Sequence, residues 1–90
     1  NTAEYVGAAV QLIGLAMMSD RRLKENIKFL GKFMGHKMYT WTWNDIARSL
    51  GVRGPEFGVI AQEVIHTDAV ELTNSGFLMV NYRRLFGGDS

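Results

Sequence analysis

Between Met38 and Trp43 the chain alternates strictly: Tyr39, Trp41 and Trp43 are separated by Thr40 and Thr42. Successive side chains of a strand point to opposite faces, so the three aromatics share one side of an extended segment. Aromatic and β-branched residues also suit a pleated surface. Such a face could serve as a stacking platform for bases or sugars. Alternate aromatics on a strand are more often core or interface, and packing is the reading adopted.

The material for a core is present but limited. A chain of 90 residues fits one small domain, and domains of this size bury only about 60% or slightly more of their unfolded surface. Hydrophobic residues make up 47% of the chain, too many for disorder, so a partner surface would relieve a marginal core. No cysteine occurs, which excludes disulfides and thiolate metal sites. The formal net charge of +1 is unevenly spread: residues 19–37 carry Arg21, Arg22, Lys24, Lys28, Lys32 and Lys37 against Asp20 and Glu25.

Before that basic block the chain is apolar. Val6, Val10, Ile13 and Met17 would form one seam if residues 1–18 were helical. Gly7 and Gly14 would each cost such a helix about 1 kcal/mol, so an extended, stalk-like segment paired with other chains is an equal reading. The run from Val6 to Met18 is too short to cross a bilayer, and no Lys or Arg precedes Arg21 as a signal peptide would require. A chain opening at Asn1 in this way reads as a fragment of something longer.

After the block, Leu23, Ile27 and Leu30 fit a helix face while Arg21, Lys24, Lys28 and Lys32 line another, and Gly31 and Gly35 limit any helix there. Asn44 or Asp45 caps a short helix over Ile46 to Leu50, followed by a loop from Gly51 to Gly58. Ile60 and Val64 predict a second helix, about two turns long, over Val59 to Ile65. A hairpin then runs from Ala69 to Leu72, turns at Thr73 to Gly76 and returns over Phe77 to Tyr82. A last turn over Arg83 to Phe86 precedes a loose end. The fold class is α+β: a small domain of short helices and β-hairpins.

The chemistry concentrates where the composition changes, in Ser19-Asp20-Arg21-Arg22-Leu23-Lys24. A serine hydroxyl is a poor nucleophile until a base takes its proton, and lysine can be that base only when neutral. An ordinary lysine must fall from about 10.4 to about 7 to be half neutral at pH 7, a cost of about 4 kcal/mol supplied by burial or nearby cations. Arg21, Arg22 and Lys28 are the cations at hand. Regular structure keeps Ser19 and Lys24 apart, about 140° around a helix or on opposite faces of a strand. Either the backbone turns between Asp20 and Leu23, or Lys24 comes from another subunit, or assembly bends the segment. Ser-Asp in isolation is most often a helix N-cap, and Asp20 keeps that structural role.

Together with Gly58-Val59-Ile60-Ala61-Gln62-Glu63-Val64 and Val80-Asn81-Tyr82-Arg83-Arg84-Leu85, this motif resembles the C-terminal self-cleaving chaperone domain of phage endosialidase and tail-spike proteins, the S74 peptidase family. The resemblance covers roughly residues 19–86. It implies a homotrimeric intramolecular chaperone that folds an upstream viral tail fibre or spike of the same polypeptide and then removes itself. It places the cut between Met18 and Ser19, with Ser19 as nucleophile and Lys24 as base, and needs no cofactor. Residues 1–18 would then be the end of the upstream stalk and 19–90 the chaperone. Assembly would take place in the host cytoplasm, with the upstream product in the virion tail. In this scheme Ser19 attacks the Met18 carbonyl, the chain shifts to an ester on Ser19, and water releases the upstream product. Two departures stand out: Ile65-His66-Thr67-Asp68 replaces a proline-containing stretch of many relatives, and no long C-terminal helix follows Phe86.

Two other functions compete. An uncleaved trimerisation cap would keep the fold without the chemistry. A nucleic-acid module would use the basic stripe Arg21, Lys24, Lys28 and Lys32, with affinity falling steeply with salt, but such a stripe is usually a solvated face. His36 and His66 lack the spacing of a metal pair, so no metal is assigned. Gln62 and Glu63 read as a polar helix face or an assembly contact, not as catalytic groups. Gly58 reads as backbone freedom at a helix entrance.

Overall fold

The computed structural model describes residues 16–87, and these form six strands and two short α-helices, with two 3₁₀ turns between them. Strands β1 (Ala16–Met18), β5 (Val70–Leu72) and β6 (Leu78–Asn81) make one antiparallel sheet in the order β1-β6-β5. Strands β2 (Lys24–Phe33), β3 (His36–Trp43) and β4 (Phe57–Gly58) make the other, in the order β2-β3-β4. The helical seam of Val6, Val10 and Ile13 lies outside the described residues. Its last member, Met17, is in strand β1, opposite Val80.

Strand β3 carries the aromatic alternation as expected: Tyr39, Trp41 and Trp43 are buried while Thr42 is exposed. The segment before it is not helical. Lys24 to Phe33 is the partner strand, joined to β3 by Met34 and Gly35, whose positive φ values of 51° and 82° suit a tight hairpin. Two register shifts, between Glu25 and Lys28 and between Phe29 and Gly31, each place an extra residue on β2. As a result Lys24, Ile27, Leu30 and Phe33 turn inward at intervals of three. Bulges, not a helix, produce the mixed period.

Helix α1 (Asp45–Ser49) starts at Asn44, whose side chain accepts the Ala47 N–H at 3.1 Å. The expected two-turn helix over Val59 to Ile65 is reduced to a 3₁₀ turn, Ala61–Glu63. Its backbone groups are engaged elsewhere: the Ala61 N–H goes to the Ser19 carbonyl at 2.9 Å, and the Val59 carbonyl accepts from side chains of the basic motif. Ile60 and Val64 are nonetheless buried. The later hairpin forms with its strands at Val70–Leu72 and Leu78–Asn81, and Tyr82, expected to end it, instead opens helix α2 (Tyr82–Leu85), capped by Asn81.

Two apolar clusters hold the domain together. One centres on Val59, Val80, Tyr82 and Phe86, the other on Leu23, Trp41, Trp43 and Ile60. The consecutive residues Val59 and Ile60 thus face different clusters. Leu23 is wholly buried beneath the aromatic face. Leu23→Ala is expected to cost about 2–5 kcal/mol of unfolding free energy, measured by urea denaturation.

Candidate active site

The site is built by the 3₁₀ turn Arg21–Leu23. Asp20 caps it, accepting the Arg22 N–H at 2.9 Å, while the Leu23 N–H returns to the Asp20 carbonyl at 3.1 Å. This reversal brings the first residue of β2 back over the residue before the cap. Lys24 Nζ lies 3.0 Å from Ser19 Oγ, 2.7 Å from Ser19 O and 3.0 Å from Val59 O. Of the three routes open to the sequence, the structure takes the turn within one chain.

Both groups are out of water. Ser19 is 0% exposed and Lys24 is 6% exposed. The lysine ammonium sits 3.7 Å from the centre of the Trp41 ring, so the central aromatic of β3 is the floor of the site as well as core. The Ser19 hydroxyl donates to the Val59 carbonyl. Its Oγ also lies 3.5 Å from the hydroxyl of Tyr82, which accepts the Val59 N–H at 3.0 Å. Met18, ahead of the serine, is opposite Met79 in the β1–β6 ladder, and the Ser19 N–H donates to Leu78 O at 3.1 Å. The Met18–Ser19 peptide is therefore a fixed part of a sheet.

Burial lowers the Lys24 pKa to about 7, with Arg21 adding repulsion while Asp20 and Glu63 oppose it. The cations of the motif are thus secondary to desolvation. Arg22 is engaged elsewhere, its guanidinium gripping the Asp20 carboxylate at 2.8 Å and the Gly76 carbonyl at 2.9 Å.

Asp20 does more than cap. Wholly buried, it accepts from the Arg22 guanidinium, from Leu78 N–H at 2.9 Å and from Gln62 Nε2 at 2.7 Å. Burial alone would raise its pKa, but these bonds, the Arg22 side chain first, hold it well below the usual carboxylate range. Gln62 reaches back with its oxygen to the Arg21 N–H at 2.8 Å, and Glu63 accepts from the Tyr39 hydroxyl at 2.7 Å and pairs with Arg21. These contacts tie both residues to the motif, with Gln62 half-buried and Glu63 at the exposed rim.

The basic stripe is broken, because Lys24 points inward and Arg21 and Arg22 are paired. His36 and His66 line one groove, shared with Lys32, Lys37 and Glu63. Burial, and then the neighbouring His66, lower the His36 pKa. Among the described residues no cluster of three or more His, Cys, Asp or Glu could hold a metal ion. The sequence reading missed Tyr82 and the Val59 peptide as parts of the site; their approach to Ser19 spans 63 and 40 positions, beyond any local pattern.

Two outcomes are expected. Asp20→Ala leaves the Leu78 N–H and the Gln62 amide without their acceptor, costing about 1–3 kcal/mol for each buried group left unpaired, as read by urea denaturation. Lys24 makes stability depend on pH: between about 7 and 10.5 the unfolded chain holds a proton that the folded chain has released. Stability therefore rises with pH across that window, and Lys24→Met should flatten the rise in denaturation curves taken at several pH values.

A family model described as the chaperone of endosialidase, the S74 peptidase family, matches residues 19–71. That is more than half of the chain, which belongs to this family. Comparison with curated proteins and with solved structures returned no match.

Proposed function

We propose that this member of the endosialidase chaperone family is a homotrimeric intramolecular chaperone that folds a viral tail fibre or spike lying upstream in the same polypeptide. It then releases itself by cutting between Met18 and Ser19. The observation that carries the proposal is the buried approach of Lys24 Nζ to Ser19 Oγ at 3.0 Å, inside the segment matched by the family. A buried lysine with its pKa lowered to about 7 holds a large neutral fraction at neutral pH, as a general base requires.

In the proposed reaction neutral Lys24 takes the Ser19 hydroxyl proton as Oγ attacks the Met18 carbonyl carbon. The Met18–Ser19 C–N bond breaks, and the departing nitrogen takes the proton from Lys24 to become the amino group of Ser19. The acyl group of Met18 is then an ester on Ser19 Oγ. Water adds to that ester, with its proton returning to Oγ, and frees the upstream chain as a carboxylate. The Ser19 carbonyl, held by Lys24 Nζ and the Ala61 N–H, and the Ser19 N–H, held by Leu78, keep the peptide in place for the first step.

Trimerisation fits the surface. Phe29 and Met34 are 57% and 61% exposed on the β2–β3 hairpin, and β2 is an edge strand with one side unpaired. A trimerising module raises the local concentration of fibre chains, whose non-local contacts are slow to nucleate. Its removal afterwards leaves a fibre that cannot readily unfold and reassemble, which is kinetic stability. Assembly would occur in the host cytoplasm, and the upstream product would enter the virion tail.

Intact mass of the chain over time tests the reading, beside Ser19→Ala and Lys24→Met. The wild type should yield a product beginning at Ser19, with a rate that climbs with pH through about 7 as Lys24 loses its proton. Ser19→Ala should yield none, and Lys24→Met should be slower by about 100-fold or more. Sedimentation should give a trimer for all three. A whole wild-type chain that still sediments as a trimer would leave an uncleaved structural cap.

A further inference from the structure

We propose that Tyr82 is a positioning residue for the cut at Ser19, its hydroxyl donating to Ser19 Oγ and fixing the Val59 peptide that both Ser19 and Lys24 touch. The inference rests on the Ser19–Lys24 reading and adds a third side chain to it.

The direction of each proton follows from the contacts. The Val59 carbonyl accepts from the Ser19 hydroxyl and from Lys24, and the Val59 N–H donates to the Tyr82 hydroxyl at 3.0 Å. Ser19's own proton is thus directed to Val59, while the Tyr82 oxygen is already an acceptor. The Tyr82 proton is the one left for the contact of 3.5 Å with Ser19 Oγ. The hydroxyl of a tyrosine 1% exposed in an apolar cluster has reason to use its proton there. Burial raises the Tyr82 pKa, so the group stays protonated and keeps donating at the pH where Lys24 becomes neutral.

The consequence lies in the first step. When Lys24 loses its proton, its lone pair faces Oγ and competes with the Val59 carbonyl for the serine proton. As that proton leaves, negative charge grows on Oγ and draws in the Tyr82 hydroxyl, 3.5 Å away, as the donor that steadies it. The same residue opens helix α2 directly after β6, the strand that pairs with Met18 in β1. One element therefore fixes both the serine oxygen and the strand that enters the cut.

Gly58 gives the hydroxyl its room. A Cβ at this position would collide with the Tyr82 hydroxyl and meet the Trp41 ring at 3.4 Å, and φ is +148°. Glycine here is a requirement of the tyrosine oxygen's position as well as of the backbone.

The test compares cutting rates of the full chain from pH 6 to 10 for the wild type and Tyr82→Phe, with urea denaturation of both. The ring, which packs 5.7 Å from Phe86, remains in the variant. The plateau rate is expected to fall about tenfold, the worth of one hydrogen bond to a reacting oxygen. The midpoint of the rise, near 7, should stay where it is because Lys24 remains buried. A plateau within twofold of wild type overturns the proposal, and so does a loss accompanied by a midpoint moved towards 10.5, which would mean an opened site. If Tyr82→Phe does not fold, 3,5-difluorotyrosine at position 82 decides: it keeps the hydroxyl but ionises more easily, so cutting should decline at alkaline pH where the wild type does not. An unchanged profile overturns the proposal. A wild type that never cuts defeats the cleavage reading itself, whereas a cutting wild type beside an equally fast Tyr82→Phe defeats only the role of Tyr82.

Discussion

A lysine amine held out of water is the interaction on which the rest of this small domain turns. Lys24 Nζ reaches two oxygens of Ser19 and one of Val59, above the ring of Trp41, with 6% of the residue exposed. Burying a cation there is unfavourable, and its three hydrogen bonds offset the penalty only in part, which is why its proton is easily lost. Much of the surrounding structure keeps that amine dry. The aromatic face of β3 lies below it, the segment carrying Val59 runs past it, and the motif folds back on itself to deliver it.

Asp20 makes the folding back durable. It joins the turn to Gln62 in the second motif and to Leu78 at the start of β6, so three stretches distant in sequence converge on one carboxylate. The neighbouring pair Ser19 and Asp20 divides the work. The carboxylate is neutralised chiefly by Arg22 and locks the architecture, while the hydroxyl next to it faces a base of lowered pKa. Such a separation of environments within one dipeptide lets a domain with little core retain both a stable scaffold and a polar interior.

What could be read from the sequence depended on how local the cause was. The strand of Tyr39, Trp41 and Trp43 was legible because alternation is a two-residue property, and the Asn44 cap because its partner Ala47 is three residues away. Lys24 to Phe33 misled because bulges impose a spacing of three on a strand. Val59 to Ile65 misled because its apolar spacing is helical while its backbone bonds go to Ser19 and Tyr82, a tertiary override of local pattern. Ser19 and Lys24 stand out in a motif, but their spacing allows three ways of meeting, and the Asp20-capped turn that joins them depends on partners far along the chain. Gln62, Glu63 and Tyr82 owe their places to contacts across 23 to 63 positions, which no periodicity encodes.

The most direct measurement is the titration of Lys24 itself, followed by NMR of its side-chain amine in Ser19→Ala, a variant expected to stay whole. A midpoint near 7 is the expected result, since desolvation around the amine persists without the serine hydroxyl. A midpoint near 10.5 would mean a solvated, permanently charged lysine, and would contradict a base buried beside Ser19 within one chain.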